Sequence, residues 1–175
     1  MTLKHSLSTA VFLATSLSAI PVSFADVSVS KVFGDHMVLQ QNAPIRVWGT
    51  ADPGEGVTVS LGSKSGNATA DGGGAWRVDL PALAADGKAH TMTVKGKNTV
   101  EFKDILLGEV WICSGQSNME WAVNGSLNPK EEIAAADHPQ IRLFNVPGHV
   151  AKPDPETEVR GQWQICSPET IPGFT

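Results

Sequence analysis

The chain has 175 residues, with 13 Lys and Arg against 18 Asp and Glu and a formal charge of -5. That balance argues against nucleic acid as a partner. Two cysteines, Cys113 and Cys166, fall short of the four ligands of an ordinary structural zinc site, and whether they are bridged is left open by their number alone.

The first 25 residues read as an export leader. A short basic start, "MTLKH", precedes the apolar "SLSTAVFLATSLSAI", and in "PVSFA" the small residues Ser23 and Ala25 occupy the minus-three and minus-one positions of a signal-peptidase site. Cleavage is expected between Ala25 and Asp26, which predicts a secreted or periplasmic product with a mature charge of about -6. No later apolar run approaches the roughly 20 residues of a membrane span, so none is expected.

Residues 26–107 alternate short strand patterns with turn residues. "MVLQ" and "IRVWG" flank "QNAP", and "VTVSLG" follows "ADPGEG". "ATA" and "WRVDL" then flank "DGGG", and "HTMTVKG" leads through "KN" to "TVEFKDILL". Val57, Val59 and Leu61 alternate with Thr58 and Ser60, and Trp76, Val78 and Leu80 repeat the pattern, so each strand buries one face. This predicts an all-β sandwich.

The pattern changes at Gly108. "EVWIC" is a continuous apolar run, as a strand buried on both faces of a parallel sheet requires. "NPKEEIAAADH" reads as a short helix with Pro129 at its first position, and "IRLFNV" as a second apolar strand. Strand, turn, helix, strand is the opening of an α/β domain. Two strands and a helix cannot cover both faces of a parallel sheet, so residues 108–175 are expected to be an incomplete domain and the chain a fragment.

A serine at the C-terminal end of a buried parallel strand stands where open α/β sheets bind ligands. Ser117, in "GEVWICSGQSNMEW", occupies that position. A neighbouring imidazole would make it a nucleophile, and a tight turn beside it would offer N–H groups to an oxyanion. The alternative is that Ser117 and Asn118 only form the turn and cap the helix after it. The spacing Gly115-x-Ser117-x-Met119 is not the Gly-x-Ser-x-Gly elbow of α/β-hydrolases.

The block "GEVWICSGQSNMEW" resembles the nucleophile block of the sialate O-acetylesterase family, a branch of the SGNH (GDSL-type) hydrolases. "FGDHMVLQQNAPIRVWGTADPGEGVTV" is similar to the family's amino-terminal β-domain and "DILLGEV" to its junction with the hydrolase domain. "ADHPQIRLFNV" and "GQWQICSPETIPGFT" resemble segments that come after the nucleophile. The resemblance implies a β-sandwich (residues 26–107) followed by the start of a flavodoxin-like α/β hydrolase domain (residues 108–175). It implies hydrolysis of an acetyl ester on a sugar, with sialic acid and acetylated polysaccharide both compatible, and no metal or organic cofactor. Ser117 would attack the acetyl carbonyl and its backbone N–H would serve the oxyanion, with Gly115, Gln116 and Asn118 supporting the motif. The family's later oxyanion donors, a Gly and an Asn, and its Asp-x-x-His motif are not found in these 175 residues, and the 175 residues by themselves are expected to have little esterase activity.

Among other candidates for the base, His36 and His90 lie in the strand-rich part, His138 precedes the second apolar strand, and His149 is on a Pro- and Gly-flanked loop. Each reads by default as a surface histidine, since a base must come within about 3 Å of Ser117. Trp111 and Trp121 bracket the motif and are expected to pack rather than to line a sugar pocket. Glu109 and Glu120 are not the paired carboxylates of a glycosidase by any spacing the sequence fixes. The competing reading makes residues 26–107 a carbohydrate-binding or structural module, with Trp48 or Trp76 stacking on sugar. Both lie in strand patterns and are expected in the core.

Overall fold

The computed structural model describes residues 26–146 and 158–175. The expected leader, residues 1–25, and His149 lie outside the described residues. Among the described residues ten strands and one short α-helix come in order. They are β1 (Ser28–Val29), β2 (Val38–Gln40), β3 (Ile45–Thr50), β4 (Gly56–Leu61), β5 (Lys64–Thr69), β6 (Ala75–Leu80), β7 (His90–Lys95), β8 (Thr99–Gly108), α1 (Pro129–Ala134), β9 (His138–Phe144) and β10 (Trp163–Cys166).

The alternation read from the sequence sets which face each strand buries. Val57, Val59 and Leu61 of β4, Trp76, Val78 and Leu80 of β6, and Met92 and Val94 of β7 are each at most 3% exposed. The residues between them are polar and face outward, as a period of two demands. β1, β3 and β6 form a three-stranded antiparallel sheet, while β2, β8, β7, β4 and β5 form a five-stranded one in that spatial order. Their buried faces share one apolar core, in which Ile45, Val47 and Trp76 meet Val59, Met92 and Ile105. The chain is therefore mostly β-sheet, with few helices.

Two close approaches fix the smaller sheet. Gly49 faces Val29 across the β1–β3 ladder, and a Cβ on it would overlap the Ser28 carbonyl oxygen and approach the Trp76 ring to 2.8 Å. Only glycine lets the two backbones and the indole share that space. Trp76 is core, as expected. Trp48 is 40% exposed and packs edge-on against Phe33, with ring centroids 4.9 Å apart. Its side chain falls on the outward face of β3, so the expectation that it is core is corrected.

The larger sheet is antiparallel except at its edge. β2 pairs with β8 in parallel, Val38 opposite Leu106 and Gln40 opposite Gly108. The last residues of β8 thus end beside β2, and Gln40 and Gln41 seize the chain as it leaves. Their side-chain amides donate to Glu109 at 3.0 and 2.8 Å, while the Val110 N–H donates to Gln40 Oε1 at 2.9 Å. The two amide bonds hold the Glu109 carboxyl below its usual range.

Beyond Gly108 the expected parallel arrangement is not formed among the described residues. Residues 109–113 make no strand; Trp111 and Ile112 are 84% and 91% exposed. A strand buried on both faces needs partners at both edges and layers above and below. The described strands that follow, β9 and β10, instead pair with each other, antiparallel, Trp163 opposite Phe144. The helix is found where Pro129 and its acidic first turn predict it, six residues long. Ala136, Leu143 and Cys166 make a small second core with Ile171 and Phe174.

Candidate functional site

Ser117 opens a four-residue 3-10 turn, Ser117–Glu120, entered through an extended Gln116. The Met119 N–H returns to the Gln116 carbonyl at 2.8 Å and closes the turn. Gly115 makes room for it: a Cβ there would stand 2.6 Å from Met119 Cγ. A second 3-10 turn, Val123–Gly125, follows it and is itself anchored. Val123 and Asn124 donate to the carbonyls of Phe174 and Pro172 at 3.1 Å each, and Trp121 Nε1 donates to the Gly125 carbonyl at 2.8 Å.

Ser117 is exposed and lines a cleft of about 650 Å³. Its lining includes Trp111, Cys113 and residues 114–117 of the motif together with Arg142, Phe144, Asn145, Val146 and Trp163. Among the described residues nothing accepts a hydrogen bond from the Ser117 N–H, and its hydroxyl has no partner. An exposed hydroxyl, a free N–H at the first turn of a short helix and a concave surface are elements from which nucleophilic attack and oxyanion stabilisation are built. The third element, a base within hydrogen-bond reach, is absent from the described lining.

None of the described histidines lines that cleft. His36 donates from Nδ1 to Asp104 Oδ2 at 2.7 Å, and His90 is bonded to Asp86 at 3.0 Å. His138 begins β9. Glu120 lines the cleft and Glu109 does not, so the two carboxylates do not face one space. Trp111 and Trp121 are 84% and 66% exposed, contrary to the expectation that both pack. Cys113 and Cys166 are both free thiols, one in the cleft and one buried, and burial pushes the Cys166 thiol up. Among the described residues no group of His, Cys, Asp and Glu is placed to hold a metal ion, and no helix is long and apolar enough to cross a membrane.

Sequence reasoning missed Arg142. Its side chain is 4% exposed, and it grips Asp104 with two nitrogens at 2.7 and 3.2 Å. That guanidinium, with His36 assisting and burial opposing, holds the Asp104 carboxyl down at about 2. One signal was present: an Asp inside "EFKDILL", because aspartate is depleted in strands and marks an irregular position.

Known proteins supply the context for this geometry. No protein-family model matches the chain. The mouse sialate O-acetylesterase is 32% identical over 124 residues, 64% of this chain and 23% of the mouse protein. The Pongo abelii sialate O-acetylesterase is 30% identical over 144 residues, 75% of this chain and 28% of that protein. A carbohydrate acetylesterase from Xanthomonas citri, known from its crystal structure, superposes with a TM-score of 0.80 at 33% identity, covering 85% of this chain and 34% of that one. The chain belongs to the sialate O-acetylesterase family. It spans about a quarter of the length of these curated family members. The relatives named are esterases, and the shared fold extends over most of the described residues.

Proposed function

We propose that this chain is the amino-terminal part of an exported serine esterase that removes O-acetyl groups from sugars. In this reading residues 26–107 are a β-sandwich that braces the start of an SGNH-type hydrolase domain. Ser117 attacks the acetyl carbonyl, and its own N–H is one donor to the oxyanion. The observation that carries the proposal is an exposed Gly-Gln-Ser-Asn turn in a cleft, in a chain whose relatives are acetylesterases. The substrate is an acetylated sugar; sialic acid and acetylated polysaccharide are both compatible.

The Asp and His that activate such a serine would come from further sequence, since no described histidine lines the cleft. Without them the hydroxyl is a poor nucleophile, and losses of several orders of magnitude result when triad partners are missing. The nucleotide sequence of the source gene past the codon for Thr175 is the first test. A frame that continues and encodes an Asp-x-x-His motif supports the reading, and the longer product should release acetate from acetylated sugars and lose that activity with Ser117→Ala. Full activity of a Ser117→Ala longer product would overturn it. The 175-residue chain itself should hydrolyse an aryl acetate barely above the buffer rate.

A further inference from the structure

β9 and the two residues after it line the cleft together with Ser117, and the Arg142 side chain ties that strand to the large sheet. The β7–β8 register passes from Met92 opposite Phe102 to His90 opposite Ile105, so Lys103 and Asp104 together stand against Thr91. This is a bulge, and bulges re-aim side chains. Asp104 adopts φ 54°, in the left-handed region, and His36 beside it φ 66°. Non-glycine residues hold such backbone angles only where surrounding contacts enforce them.

Those contacts all converge on one point. The loop before β2 grips the bulge through the Lys103 N–H to Asp35 Oδ1 at 2.7 Å and the His36 N–H to the Lys103 carbonyl at 3.0 Å. Asp104 is thereby pointed at β9, where Arg142 meets it with a two-pronged ion pair. Arg142 directs its other donors locally: Nε to the Pro139 carbonyl at 3.0 Å and Nη1 to the His36 and Asp104 carbonyls at 3.4 Å each. Protein groups thus occupy four of the five N–H positions of the guanidinium. It is buried, bidentate and planar, the arrangement in which arginine fixes orientation and lysine does not.

We infer that Arg142 is a positioning residue: clasped by Asp104 on the β8 bulge, it sets the distance between residues 144–146, at and just after the end of β9, and the serine turn that lines the same cleft. Trp163 of β10 provides the second point of attachment, its Nε1 donating to the Val32 carbonyl at 2.7 Å and its ring lying 5.1 Å from that of Phe144. Two attachments prevent β9 and β10 from pivoting about either one. Only the description of this cleft as the site of reaction rests on the esterase reading.

The test measures cleft geometry directly. Spin labels on Cys113, which is exposed, and on Val146→Cys report the distance between the two segments, while buried Cys166 stays unlabelled. Asp104→Asn removes the charge yet suits the left-handed backbone, because asparagine also favours it. It should at least double the width of the distance distribution and speed amide exchange in β9 and β10 by tenfold or more, with exchange in β3, β4, β6 and β7 unchanged. Should that variant fold poorly, the double variant Asp104→Asn/Arg142→Gln leaves no buried charge unmatched and should broaden the distances likewise. An unchanged distribution, or exchange accelerated equally in all strands, would overturn the inference. Ser117 takes no part in this measurement, so a failure of the esterase reading, seen as activity surviving Ser117→Ala, remains a separate result.

Discussion

Acidification should weaken the Asp104–Arg142 clasp in a defined window, and Asp104→Asn should abolish that window. The Asp104 carboxyl sits at about 2 against an ordinary 3.8, the Arg142 hydrogen bonds being the largest cause. A carboxyl lowered on folding stabilises the fold fully above its unfolded value and loses that contribution as pH falls through its folded one. The window therefore runs from about pH 4 down to about pH 2. At roughly 1.4 kcal/mol per pH unit the ceiling is on the order of 2 kcal/mol. The Asp104 side chain is 31% exposed, so solvent screening reduces this to about 1 kcal/mol. Asp86, Glu109 and Glu169 are also held low by hydrogen bonds, so total acid stability alone is a blunt readout. Urea unfolding of the wild type and of Asp104→Asn, tracked through NMR amide signals of β9 at pH 7, 4, 3 and 2, isolates the contribution. The gap between the two should be widest at pH 7, shrink below about pH 4 and be reduced to a small remainder at pH 2. A gap that stays constant across that range, or is absent at pH 7, refutes the reasoning.

The geometry yields three further outcomes. Trp163→Phe should cost about 1 kcal/mol, the worth of one hydrogen bond to the Val32 carbonyl, whereas Trp163→Ala should cost about 2–4 kcal/mol through lost packing; chemical denaturation separates the two. Gly49→Ala should destabilise by about 2 kcal/mol or more, since the new methyl overlaps the Ser28 carbonyl and crowds the Trp76 ring, and a melting temperature within a degree of wild type would contradict this. A thiol reagent should modify one cysteine at once, Cys113, and reach Cys166 only after urea is added, because burial both shields that sulfur and raises its pKa.

The β-rich part was legible because its strands bury one face each, and a period of two survives in any sequence that must do so. Trp48 shows the limit of the rule: it lies within a strand pattern, but on the outward phase of it. The run at 109–113 shows another. Apolar composition states what a segment would bury, and it cannot supply the neighbouring strands that do the burying. The pairing of β9 with β10 was illegible for a related reason, since an apolar strand carries no mark of whether its neighbour runs parallel or antiparallel. At the site, the local motif Gly115 to Asn118 was readable as a turn bearing a serine. Arg142 was not, because its meaning lies in a partner on another strand, placed there by a bulge.

The parallel edge pairing has a consequence for how the chain is made. Among the described strands β2 has one neighbour, β8, which is synthesised about 70 residues later. β8 in turn lies between β2 and β7, so the five-stranded sheet closes at the end of its own translation. A nascent chain halted before Leu106 leaves β2 dangling with nothing to pair against. The serine turn emerges directly behind that closing strand, so the ribosome delivers it to a platform that has only just become complete.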